Sequence, residues 1–111
     1  MQSRKIMNQE IFDRMKKISE RLKNSYNAEK VILFGSYARG EETEDSDVDL
    51  LVIAPRKERF FERIASAKRL IRDLRSGLPI APIVLTPEEA EKRKNVGDQF
   101  INDILEKGVS L

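Results

Sequence analysis

Phe34-Gly35-Ser36-Tyr37-Ala38-Arg39-Gly40, then Glu41-Glu42-Thr43-Glu44-Asp45-Ser46, then Asp47-Val48-Asp49-Leu50-Leu51-Val52 is the stretch on which the reading of this chain turns. It is preceded by Lys30-Val31-Ile32-Leu33, so a short, β-branched apolar run ends at Gly35, as a strand buried on both faces would. Gly35 lets the backbone turn sharply and come close to a ligand, and Ser36 falls near the start of the helical turn that follows. Free amides and a hydroxyl at such a turn form an anion site, and phosphate is the natural occupant. Residues 41–46 have nothing to bury and read as loop. On the next strand Asp47 and Asp49 are two apart, so period-two geometry sends both carboxylates to one face while Val48 points to the core. Like charges held together repel unless they share a cation. Oxygen ligands beside a phosphate cradle describe a Mg²⁺ (or Mn²⁺) site for a nucleoside triphosphate.

Working outward, Ile11, Phe12, Met15, Ile18 and Leu22 recur at helical spacing and predict a first helix from Asn8 to Asn24. Pro55 closes the second strand, Val48 to Ile53. From Arg56 to Ser76 the stripe Phe60, Ile64, Ala67, Ile71, Leu74 predicts a long crossover helix with its bases on the other side. Gly77 ends it. Leu78 to Leu85 reads as a third strand, whose Pro79 and Pro82 suit a sheet edge or an irregular start. Thr86-Pro87-Glu88-Glu89 has the grammar of a helix start, and that helix runs to about Asn95. Phe100, Ile101, Ile104 and Leu105 define a last helix ended by Gly108. The predicted order is α-β-turn-β-α-β-α-α: an α/β domain with a small mixed sheet flanked by helices.

The 111 residues are the size of one domain, 1–111. Cysteine and histidine are both absent, which removes disulfides, thiol nucleophiles, Ser-His-Asp triads and imidazole ligands. Phosphoryl and nucleotidyl transfer need neither residue. Net charge is only +2, too balanced for a protein that coats nucleic acid, so nucleic acid is a disfavoured partner. Local charge is less even: residues 41–49 hold six acids and no base, and residues 54–76 hold eight bases against three acids. That basic helix face reads first as a solvated surface and second as a docking face for a partner or an acceptor RNA, although no aromatic interleaves the bases to stack on nucleotides. The N-terminal stretch with Arg4 and Lys5 lacks an apolar leader core, and nowhere do 18 apolar residues run together, so the expectation is a soluble, cytoplasmic protein without membrane contact. Tyr37 is left open between stacking on a base and packing the turn. Arg39 is left open between phosphate and the acidic loop.

Gly35-Ser36, ten residues, then Asp47-x-Asp49 resembles the signature of the DNA polymerase β-type nucleotidyltransferases, specifically the minimal nucleotidyltransferases. The likeness extends over about residues 28–108 and includes FGSYARGEETEDSDVDLLV, TPEEAEKRKN and FINDILEKG. The resemblance implies the nucleotidyltransferase fold and transfer of a nucleoside monophosphate, AMP from ATP, to an acceptor hydroxyl with release of pyrophosphate. It implies that Gly35 and Ser36 hold the triphosphate, that Asp47 and Asp49 are the catalytic, metal-binding acids, and that Arg39 contacts phosphate. It also implies a helical HEPN-type protein partner, toward which such chains act as antitoxins, in some cases by adenylylating it. The family's third carboxylate falls where Ala81 stands. Slowed transfer, an acid from Glu88 or Glu89, an acid from a partner, and a non-catalytic nucleotide-binding antitoxin module are the readings that follow. In a chain this short, acceptor recognition is expected from a partner or a second copy.

Overall fold

A computed structural model describes residues 9–111. Asn8, where the first helix is expected to start, and the stretch with Arg4 and Lys5 lie outside the described residues. The elements are α1 (Gln9–Ser25), β1 (Lys30–Phe34), α2 (Ser36–Arg39), β2 (Val48–Ile53), α3 (Phe60–Arg75), β3 (Ile80–Leu85), α4 (Pro87–Asn95), α5 (Gln99–Lys107) and β4 (Val109–Ser110). The sheet order is β3-β2-β1-β4, with β1 antiparallel to β2 and β4, and β2 parallel to β3. A parallel neighbour needs a crossover, and α3 supplies it. The sheet is therefore mixed and flanked by helices, as the sequence reading expects.

Helices cover both faces. Val31 and Leu33 of β1, Val48, Leu50 and Val52 of β2, and Val84 of β3 pack with Met15, Ile18 and Leu22 of α1 and Ala67 and Ile71 of α3. On the other face Ile32, Leu51, Ile53 and Leu85 meet Ala90 of α4 and Ile101 and Ile104 of α5. The split follows from the alternation of side chains along a strand.

Three elements differ from the sequence reading. α3 starts at Phe60 rather than Arg56 because Arg56 pairs with Glu58 (Nη2 to Oε2 2.7 Å) and lays its guanidinium over the Tyr26 ring. The third strand starts at Ile80 rather than Leu78, since Leu78 N–H still bonds to Arg75 carbonyl in the turn after α3. The two-residue β4 has too little sequence to carry a period, yet it closes the other edge of the sheet on Ile32 and Leu33. Pro82 is accommodated because β3 is an edge strand.

Candidate active site

The turn after β1 is built on Gly35, whose backbone (φ 78°, ψ −156°) is open only to glycine. A second reason for glycine is space: a Cβ there would collide with the Asp49 carboxylate oxygen Oδ2 and lie 3.2 Å from its Cγ. The bend and the second acid are thus in direct apposition. Ser36 opens the single turn α2, which Ala38 N–H and Arg39 N–H close on the Gly35 carbonyl. The first amides of such a turn have no acceptor within it.

Asp49 sits in the middle of a row across the sheet, opposite Phe34 of β1 and Ala81 of β3. It occupies the same face as Leu51 and Ile53 and, unlike them, is only partly buried. Val48 between the acids is fully buried on the opposite face, as the spacing requires. Partial burial pushes the Asp49 carboxyl above the ordinary aspartate range. The charge of Asp47 pushes it further, and Arg39 pulls it back. The charges of Asp47 and Arg39 are thus both felt at Asp49. Arg39 itself pairs with Glu41 of the acidic loop (Nε to Oε1 2.8 Å), both side chains being mostly in solvent.

Tyr37 is buried in the α1/α3 core, so of the two roles left open for it the structure shows packing. Burial and the nearby Glu42 push its phenol up. Glu44 and Asp45 are exposed loop.

Two expectations are corrected. Glu88 and Glu89 begin α4 beyond Leu85, at the opposite end of β3 from Ala81, and Glu89 is committed elsewhere. Its carboxylate takes two bonds from Arg63 (2.7 and 3.0 Å) and one from the Thr86 amide (2.9 Å), so neither residue can reach Asp49. Arg63, read from the sequence as part of a solvated basic face, is 4% exposed. The apolar stripe was one position too narrow to register it. Among the described residues no group of three or more acids converges on one point.

The sequence also missed what surrounds the acids. A cavity of about 360 Å³ lies on the β3 side, lined by Asp47, Ala81, Lys68, Arg72 and Arg75 among others. Another of about 390 Å³ lies beside Gly35, between Phe34 and Ala38 on one wall and Phe100 and Ile104 on the other. The signal for the first was available. A crossover helix into a parallel strand returns its C-terminal end to the end of the sheet where β2 starts, which places the bases of that end near Asp47.

A nucleotidyltransferase domain profile matches residues 15–111. The chain belongs to the nucleotidyltransferase domain family. Over 104 residues, 92% of this chain and 96% of the relative, this nucleotidyltransferase domain is 35% identical to a Methanocaldococcus jannaschii protein named "putative protein adenylyltransferase". It is 49% identical to another M. jannaschii protein of the same name, over 43 residues that span 39% of this chain and 43% of that relative. The crystal structure of a "putative nucleotidyltransferase" from Sulfolobus solfataricus is similar in fold (TM-score 0.58, 29% identity) over 75% of this chain and 73% of that one. Among the described residues, no helix is long and apolar enough to cross a membrane.

Proposed function

We propose that this nucleotidyltransferase domain transfers AMP from ATP to a hydroxyl of a partner protein, with Mg²⁺ or Mn²⁺. The observation that carries the reading is the apposition of the Gly35 backbone and the Asp49 carboxylate, with Asp47 on the same side. In this arrangement the Gly35-Ser36 turn holds the β- and γ-phosphates, and Arg39 exchanges Glu41 for a phosphate oxygen.

The acids fit a divalent ion by their chemistry. Both are hard oxygen donors, and Asp49 is held above its usual range by burial and by Asp47, a strain that a shared cation relieves. Asp47 and Asp49 would hold it. When bound, such an ion neutralises charge on the phosphates and polarises the phosphorus. The small Gly35 and the absence of a Cβ there keep the phosphate turn against the Asp49 carboxylate. AMP is the preferred group because relatives matched along their full length are named for protein adenylyl transfer. A HEPN-type protein is the proposed acceptor, by the resemblance, with the domain acting as its antitoxin in the cytoplasm.

Ala81, in register with Asp49 on the neighbouring strand, stands where the resemblance places a third acid. It favours a second reading, a nucleotide-binding antitoxin that acts by occlusion and transfers slowly or not at all. General-base help is worth about 10²- to 10⁴-fold, so its lack slows transfer without abolishing it. Mass spectrometry of a co-purified HEPN protein incubated with Mg-ATP tests the first reading, and Asp47→Asn/Asp49→Asn must abolish the adduct. Protection of cells by the same double variant decides for occlusion. A rate increase in Ala81→Asp assigns the slow step to the absent acid.

A further inference from the structure

We propose that the cleft between Asp47, Ala81 and the C-terminal half of α3 is the acceptor site, and that it selects hydroxyl-bearing peptide segments rich in Asp and Glu. The inference rests on the function proposed above. In phosphoryl transfer the attacking and leaving oxygens lie roughly in line through phosphorus. The phosphate turn ends β1, the acids start β2, and the leaving pyrophosphate stays with the turn. The attacking hydroxyl then enters from the β3 side. That side holds the cavity of about 360 Å³ to which Lys68, Arg72 and Arg75 all contribute.

Three cations line a cleft whose one acid is Asp47. Lys68 and Arg72 are exposed and, like other surface bases such as Lys57, Arg59 and Arg69, have no ion-pair partner among the described residues; what sets them apart is that they line this cleft. Arg75 is held in place by a bond from its Nη1 to the Leu78 carbonyl (3.2 Å), which leaves its other donors free for a guest. The remaining walls, Ile71, Pro79, Ile80 and Ala81, are apolar, and among the described residues no aromatic ring lines the cleft. Nucleobases bind single-stranded sites largely by stacking on such rings. Carboxylates need only the cations, so the cleft fits an acidic peptide better than RNA. Asp47 is the one acid in the wall, and it marks the end of the cleft that the hydroxyl must reach.

The test is fluorescence anisotropy of the full chain with a labelled peptide in which Ser and Tyr are flanked by Asp and Glu. The control has Asn and Gln in their place, and each is measured with and without Mg-ATP. The acidic peptide is expected to bind at least about tenfold tighter, with the preference shrinking as salt rises. Lys68→Gln/Arg72→Gln removes the preference, while its thermal melt and its calorimetric affinity for Mg-ATP stay near those of the parent. Equal affinity for the two peptides overturns the proposal, as does a preference that survives the double replacement. A single-stranded RNA that outcompetes the acidic peptide also overturns it. If Mg-ATP fails to bind while the peptide preference holds, the nucleotidyl-transfer reading falls and the acidic-peptide cleft stands. If Mg-ATP binds and the preference is absent, the reverse is true.

Discussion

Glu89 and Asp49 are both carboxylates on the α4/α5 side of the domain, and their surroundings displace them in opposite directions. Hydrogen bonds from Arg63 hold Glu89 down to about 2, from an ordinary value of 4.5. Burial and the neighbouring Asp47 push Asp49 up from 3.8. At the Glu89 end the charge is matched within the chain, by a guanidinium 2.7 Å away that is itself buried beneath α3. At the Asp49 end the neighbouring charge is that of another acid, Asp47, and Arg39 is paired with Glu41. The first arrangement ties α3 to α4. The second holds the Asp49 carboxyl above its ordinary range, so that its charge opposes folding at neutral pH.

The contrast can be broken most strongly at its structural end. Glu89→Ala leaves the Arg63 guanidinium buried without a partner, and also removes half of the α4 capping box. Stranding a buried charge costs about 3–5 kcal/mol. With 43% of the Glu89 side chain in solvent, a loss of about 2–3 kcal/mol is expected, read as a lower urea midpoint at unchanged slope. Arg63→Met/Glu89→Leu recovers most of it. The sign of the pH effect follows from the lowered value. The Glu89 contribution is whole above about 4.5 and is lost as pH falls through about 2, so Glu89→Gln flattens the acid limb of the stability curve over that window.

Gly35→Ala is next. It forces a non-glycine residue into a glycine conformation and drives a methyl into the Asp49 carboxylate, costing about 1–3 kcal/mol in thermal or urea unfolding. Mg-ATP binding is lost with it.

The fold was legible wherever burial imposes a period. The stripe of α1, the alternation that puts Val48 and Asp49 on opposite faces of β2, and the Thr86 cap could all be read, because each has a local cause in side-chain direction or capping chemistry. The two-residue β4 could not, because its pairing with Ile32 and Leu33 is a property of β1 rather than of its own residues. At the site, the spacing of Gly35, Ser36, Asp47 and Asp49 singles them out as candidates. That the Gly35 backbone abuts the Asp49 carboxylate depends on the register Phe34 to Asp49, which only the folded sheet fixes. Arg63 was misread for the same reason. Its partner lies 26 residues away on another helix, and no pattern within α3 distinguishes it from a surface base.

Asp49→Asn sharpens the functional end in the opposite sense. A raised carboxyl contributes stability that is whole below 3.8 and lost as pH rises through its folded value, so at neutral pH its charge opposes folding. Removing that charge is expected to leave the ligand-free protein as stable as the parent or more so, by up to about 1 kcal/mol, in chemical unfolding at pH 7. Stability gained together with binding lost is the mark of a functional carboxylate. The smallest effect is at Arg39→Ala. Its exposed pair with Glu41 is worth about 0.2–1 kcal/mol at most, so stability hardly moves while affinity for the triphosphate falls, measured by calorimetry.

The claim beneath these comparisons is that Asp49 and the Gly35-Ser36 turn hold a metal-bound triphosphate between them. Isothermal titration with ATP, run with Mg²⁺, with EDTA, and on Asp49→Asn, tests it most directly. The account predicts saturable binding by the parent protein with Mg²⁺, and at least about tenfold weaker binding in each of the other two cases. Equal affinity in all three would contradict it.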